Sequence, residues 1–227
     1  MKDKYCIINL KAQEVAFNEN LDTFIEKVEK CSDLAQELGV HLVLCINSYD
    51  LKDAVLKSRN VEIYAQHCDP VDFGSHTGSI PTSVIVRLGA IGTLISHSEK
   101  YLSVEDSFER FKAAKEMYIE TCVCARDVDR VIELQDVGIK GLIAIEPPEL
   151  IGGDISVSTA NPQIISSAVE VLQEGTILLA GAGVKNRDDV KKAIELGTHG
   201  ILVSSGVVKA KDVEAEVKDL LEGFREE

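Results

Sequence analysis

The sequence predicts an α/β fold: one closed (β/α)8 barrel domain covering residues 1–227. Three observations predict it. Eight short apolar runs recur along the chain, amphipathic helical patterns lie between them, and one glycine punctuation mark repeats where helix gives way to strand. A chain of 227 residues, 45% of them hydrophobic, has enough apolar content for one sizeable core or two small ones. No linker or low-complexity stretch marks a second domain.

The elements follow in order. YCIINL (5–10) is the first strand candidate. Leu21, Phe24, Ile25, Val28, Leu34, Ala35 and Leu38 then repeat at three or four residues, the spacing of one helical face, and Gly39 stops the run. HLVLCI (41–46), VEIYAQ (61–66) and IGTLIS (91–96) are the next three strands. Ser103 and Asp106 form a capping box ahead of Val104, Phe108 and Phe111. IETCVC (119–124) and KGLIAI (140–145) follow. Asn161-Pro162 then reads as an N-cap and first helical residue, opening a helix with Ile164, Ile165, Ala168 and Leu172. TILLAG (176–181) and GILVSS (200–205) complete the set, and Val213, Val217, Leu220, Leu221 and Phe224 form a terminal amphipathic helix.

The punctuation appears in RLGAIGTLI (87–95), DVGIKGLIA (136–144) and ELGTHGILV (195–203). Its first glycine can end a helix in the left-handed conformation, and its second lets the chain enter a strand tightly. Most strand candidates are apolar at consecutive positions, as parallel strands covered on both faces are. Repeated strand–helix units require right-handed crossovers, and eight of them in one domain length favour a closed barrel over the alternative, an open doubly wound sheet.

Composition excludes some functions. The net charge is −14, with acidic residues spread over the helices, whereas nucleic-acid binding needs basic surface. A small anion remains possible, because amides and one lysine can hold it. No apolar run approaches the length of a membrane span, and the opening MKDKYCIINLK is too short and too charged to be a signal peptide. The six cysteines fall mostly inside apolar runs and read as buried reduced thiols of a cytoplasmic protein. Cys122-Val-Cys124 is read as two thiols on opposite faces of a strand, an arrangement that suits neither a disulfide nor a zinc knuckle.

In such a barrel the active site lies at the C-terminal strand ends. Those ends carry Asn9 and Lys11, Gln66-His67, His97-Ser98-Glu99, Glu146, Gly181-Ala182-Gly183 and Ser204-Ser205-Gly206. Singly, Lys11 reads as a surface lysine, His97 as a hydrogen-bonded structural histidine, and Glu146 as a loop carboxylate before Pro147-Pro148. Together they put an amine, an imidazole, carboxylates and amide-rich turns on one rim.

Asn9-x-Lys11, His97-Ser98-Glu99 and Glu146-Pro-Pro-Glu-Leu-Ile-Gly, in that order, resemble triosephosphate isomerases, in particular the shorter archaeal-type branch. Ala65-Gln66-His67, Gly74-Ser-His-Thr-Gly78 and the stretch 179–212 support the resemblance, which covers nearly the whole chain. It implies a TIM barrel and a cytoplasmic isomerase of glycolysis and gluconeogenesis acting on a triose phosphate. Glu146 would be the general base, His97 the electrophile and Lys11 the electrostatic stabiliser, with Asn9 a further donor and Glu99 holding Lys11. Residues 147–155 would form a lid hinged at Pro147-Pro148. The amides of Ile151 to Gly153, with Gly183, Ser204 and Ser205, would meet the phosphate. Neither a metal nor an organic cofactor is implied. The 74–78 loop would reach a neighbouring subunit in a homo-oligomer, a tetramer rather than a dimer.

The sequence departs from the family pattern in places. Gly152-Gly153-Asp154 replaces Gly-Thr-Gly in the lid, Ser204 replaces alanine, Lys100 replaces arginine, Ser96 stands where Asn or Gly is common, and Cys45-Ile46-Asn47 lacks a proline. Alternatives are another sugar-phosphate isomerase or aldolase on the same barrel, or a non-catalytic binding barrel.

Overall fold

A computed structural model describes residues 3–150 and 156–225. Eight parallel strands close in chain order, and the last pairs with the first. The elements are β1 (Lys4–Asn9), α1 (Asn18–Glu29), α2 (Ser32–Leu38), β2 (Val40–Ile46), α3 (Leu51–Lys57), β3 (Glu62–Ala65), α4 (Thr82–Arg87), β4 (Gly92–Ile95) and α5 (Val104–Glu116). They continue with β5 (Glu120–Ala125), α6 (Val128–Asp136), β6 (Gly141–Ile145), α7 (Val157–Ala160), α8 (Pro162–Glu170), β7 (Thr176–Gly181), α9 (Arg187–Glu195), β8 (Gly200–Val203), α10 (Ser205–Val208) and α11 (Val213–Glu222).

The consecutive apolar positions are explained by two cores. Along each strand alternate side chains point to opposite faces. Tyr5 and Ile7 turn inward and meet Val43, Leu94 and Leu142 in the barrel interior, while Cys6 and Ile8 turn outward against the helical layer with Phe24 and Val28. The reading of Cys122 and Cys124 on opposite faces is corrected here. Two residues apart on a strand means the same face, and both thiols lie in the interior with Cys45. All six cysteines are buried free thiols.

The helix ends follow the sequence signals with two exceptions. Ser103 Oγ accepts the Asp106 amide at the start of α5 (3.0 Å), and Gly39 ends α2 in the left-handed region at φ 65°. The first glycines of the repeated punctuation, Gly89, Gly138 and Gly197, all have φ near 100° (99°, 97° and 101°), where a side chain is strained. At Gly200 a Cβ would sit 2.0 Å from the Tyr5 carbonyl oxygen, so only glycine admits the β1–β8 closure. The first exception is the single helix expected over 21–38, which divides at Lys30–Cys31 into α1 and α2. There the Cys31 thiol reaches the carbonyls of Lys27 and Glu214 (3.7 and 3.6 Å), tying the break to α11. The second is Asn161, which precedes Pro162 as expected but makes no side-chain cap.

α11 belongs to the barrel wall: Val217, Leu220 and Leu221 are fully buried, each such side chain contributing roughly 1.5–3 kcal/mol of transfer free energy. Among the described residues no helix is long and apolar enough to cross a membrane.

Candidate active site

The strand ends converge on a cavity of about 310 Å³ whose lining includes Asn9, Lys11, His97, Glu99 and Glu146 together with Gly183, Ser204 and Ser205. Volume alone does not distinguish it, since a hollow of about 530 Å³ lies by Asp3, His41 and Glu62. Its chemistry does: it combines an imidazole, a buried carboxylate and lysine. Of the predicted residues, Ile151 and Gly153 lie outside the described ones, as does the rest of 151–155. Pro148–Leu150, the preceding piece, is a turn of 3-10 helix.

Lys11 follows β1 in the left-handed conformation, at φ 52°, an arrangement a non-glycine residue keeps only when its surroundings hold it. Two contacts do so. The Lys11 amide donates to Asn9 Oδ1 (3.0 Å), and Gln66 Nε2 donates to the Lys11 carbonyl (3.1 Å) and to that of Cys45 (3.0 Å). The lysine side chain is thereby aimed across the rim, where Nζ meets Glu99 Oε1 at 2.7 Å. Because Glu99 is 59% exposed, the pair adds little stability, on the order of 0–1 kcal/mol. Its effect is to orient the amine.

His97 stands at the head of the short turn Ser98–Lys100, and its Nδ1 accepts the Glu99 amide (3.2 Å). A nitrogen that accepts carries no proton, so the neutral ring is assigned its N–H at Nε2. That nitrogen lies 3.9 Å from Glu146 Oε2.

Glu146 caps β6, its amide donating to the Ala125 carbonyl (2.8 Å). Only 7% of the residue is exposed, and Oε2 is buried with no hydrogen-bond partner. Burial pushes the carboxyl above the usual carboxylate range, opposed in part by His97, the Cys124 thiol and Lys11. Room for the side chain comes from β7: a Cβ on Gly181 would fall 2.3 Å from Glu146 Cγ. Beyond it Ala182 and Gly183 both have φ 72°, and Ser204 precedes α10.

Sequence reasoning did not single out Gln13 and Lys209, which also line the cavity, nor the packing roles of Gln66, Cys124 and Gly181. The positions of Gln66 and Gly181 at strand ends were visible in the sequence, but not what they touch. A buried carboxylate with a vacant oxygen beside an imidazole N–H and a lysine is equipped to move a proton between carbon atoms next to a carbonyl.

The chain matches the family profile described as triosephosphate isomerase over residues 4–220. It is 38% identical to the triosephosphate isomerase of Thermoplasma volcanium over 216 residues, covering 95% of this chain and 98% of that one. The triosephosphate isomerase of Saccharolobus solfataricus is also 38% identical, over 97% of this chain and 96% of its own. That of Methanothermus fervidus is 34% identical over 95% and 96% respectively.

Proposed function

The chain belongs to the triosephosphate isomerase family, and we propose that the cavity at the C-terminal mouth of its barrel interconverts dihydroxyacetone phosphate and D-glyceraldehyde 3-phosphate through an enediolate. Glu146 takes a proton from the hydroxymethyl carbon beside the carbonyl. The electron pair of that C–H bond becomes the carbon–carbon double bond, and negative charge moves to the carbonyl oxygen. The hydroxyl proton of the first carbon passes to the former carbonyl oxygen, the protonated Glu146 returns its proton to the neighbouring carbon, and the electron pair left on the first carbon's oxygen closes the aldehyde carbonyl. His97 donates its Nε2–H to the developing oxyanion, the role known for the family's histidine, and Lys11 stabilises the same charge. Asn9 adds a donor, Gly183, Ser204 and Ser205 receive the phosphate, and Glu99 holds Lys11.

One observation carries this reading: the vacant, buried Oε2 of Glu146 is 3.9 Å from the imidazole nitrogen assigned a proton. A base whose affinity for protons is raised by burial is matched to abstracting a weakly acidic C–H proton near neutral pH. An aldolase using a strand lysine is disfavoured, because β5 to β8 contain no lysine. The expected lid, 147–155, with Ile151 and Gly153 on the phosphate, stays part of the proposal, as do a cytoplasmic location, service in glycolysis and gluconeogenesis, and a homotetramer.

A coupled assay with D-glyceraldehyde 3-phosphate tests the assignment. Glu146→Gln keeps the shape and removes the base, so kcat is expected to fall by roughly 10²–10⁴. Turnover within a few-fold of wild type would remove Glu146 from the mechanism.

A further inference from the structure

The cavity contains two lysines, and the mechanism above uses one. Lys209, the residue after α10, lines the same hollow as Lys11, Gly183, Ser204 and Ser205. Lys11 is 16% exposed in its side chain and tied to Glu99. Lys209 is exposed and has no ion pair among the described residues. The charged residues lining the cavity are Lys11 and Lys209 against Glu99 and Glu146, two positive and two negative, a formal sum of zero. Without Lys209 the same group sums to −1, on a chain whose net charge is −14. A phosphate monoester near neutral pH carries about −1.5 to −2 charges, so it would meet repulsion both from the molecule and from its own site. At physiological ionic strength exposed charges act over about 8 Å, which makes a cation at the mouth count for more than acidic residues on distant helices.

We propose that Lys209 is a substrate-binding residue: the capture cation that draws the phosphate end of the triose phosphate into the cavity. The inference rests on reading this cavity as the triose phosphate site. An exposed cation acts on approach and retention of the charged ligand rather than on the proton transfer, so its contribution appears in kcat/KM through KM.

The test compares Lys209→Met, Lys209→Arg and, as a remote loss of equal charge, Lys192→Met in the last turn of α9. Circular dichroism checks that each is folded. Steady-state constants and competitive inhibition by inorganic phosphate are measured at low and high salt. Lys209→Met is expected to lower kcat/KM at low salt by about fivefold or more, with the Ki for phosphate rising by a similar factor, and the deficit shrinking to within about twofold near 0.5 M salt. Lys209→Arg and Lys192→Met are expected to stay near wild type. The proposal is overturned if Lys209→Met matches wild type in kcat/KM and phosphate inhibition, or if its loss lies in kcat or does not respond to salt. Full turnover by Glu146→Gln is a different failure. It would sink the site reading, and this proposal with it, whereas wild-type behaviour of Lys209→Met alone leaves the isomerase reading standing.

Discussion

At the scale of single residues, the property that suits Glu146 to catalysis works against folding. Desolvation raises its proton affinity in the folded state above that in the unfolded chain. Below the unfolded value, about 4.3 for a free glutamate, the group is protonated in both states and has no effect. As pH rises through that value toward the folded one, the unfolded chain releases its proton first, and stability falls. Above the folded value the penalty is constant. Glu146→Gln is therefore expected to melt higher than wild type at neutral pH, with the gap closing as pH drops toward 4. Each kcal/mol relieved is worth roughly 2–4 °C in a chain of this size. Equal melting temperatures across the range, or a gap confined to acid pH, would contradict the assigned burial. A variant that is inactive and more stable is the expected signature of a group placed for function.

At the scale of elements, the site depends on strand ends that fit each other closely, and β7 shows how. Gly181 is the last residue of β7, and a methyl group there would overlap Glu146, 2.3 Å from Cγ and 3.1 Å from Cδ. Gly181→Ala is expected to displace the carboxylate by about 1 Å, lowering kcat about a hundredfold while costing roughly 1–3 kcal/mol of overpacking. A kcat within twofold of wild type would show that Glu146 tolerates the shift. The eight strands themselves were legible in the sequence, because burial on both faces writes an unbroken apolar run that needs no tertiary information; TILLAG (176–181) coincides with β7 residue for residue. The rim residues Lys11, His97 and Glu146 were legible for a related reason. A polar residue directly after such a run has little to do in a core. The contacts that orient them were not. Gln66 reaches Lys11 across 55 positions, and neither that pairing nor the left-handed backbone of Lys11 leaves a local mark. The break between α1 and α2 was hidden because the apolar period continues through it, while the bend is set by contact with α11.

At the scale of the whole molecule, closure in chain order puts all eight strand ends at one mouth, which is why residues as far apart as Lys11 and Ser205 share a cavity. The same closure leaves apolar groups uncovered at both ends of the barrel in the isolated chain. After β2 and β3, Tyr49 is 88% and Phe73 57% exposed, and Asp72–Gly78 is exposed throughout. In the turns that enter β4 and β5, Ile91 is 48% and Tyr118 96% exposed. A tetramer with dihedral symmetry needs two distinct self-complementary contacts, and two separate apolar regions match that need better than a dimer does. Sedimentation equilibrium is therefore expected to give the mass of four 24.7 kDa chains. Phe73→Asp places a charge directly before the 74–78 loop proposed to reach a neighbour. It is expected to shift the mass downward and to lower kcat/KM together, because the family resemblance also implies that this loop helps position Lys11 in the adjoining subunit. A wild-type protein that sediments as a single chain at assay concentration, fully active, would refute the assembly and leave Lys11 held by Asn9, Gln66 and Glu99 of its own chain.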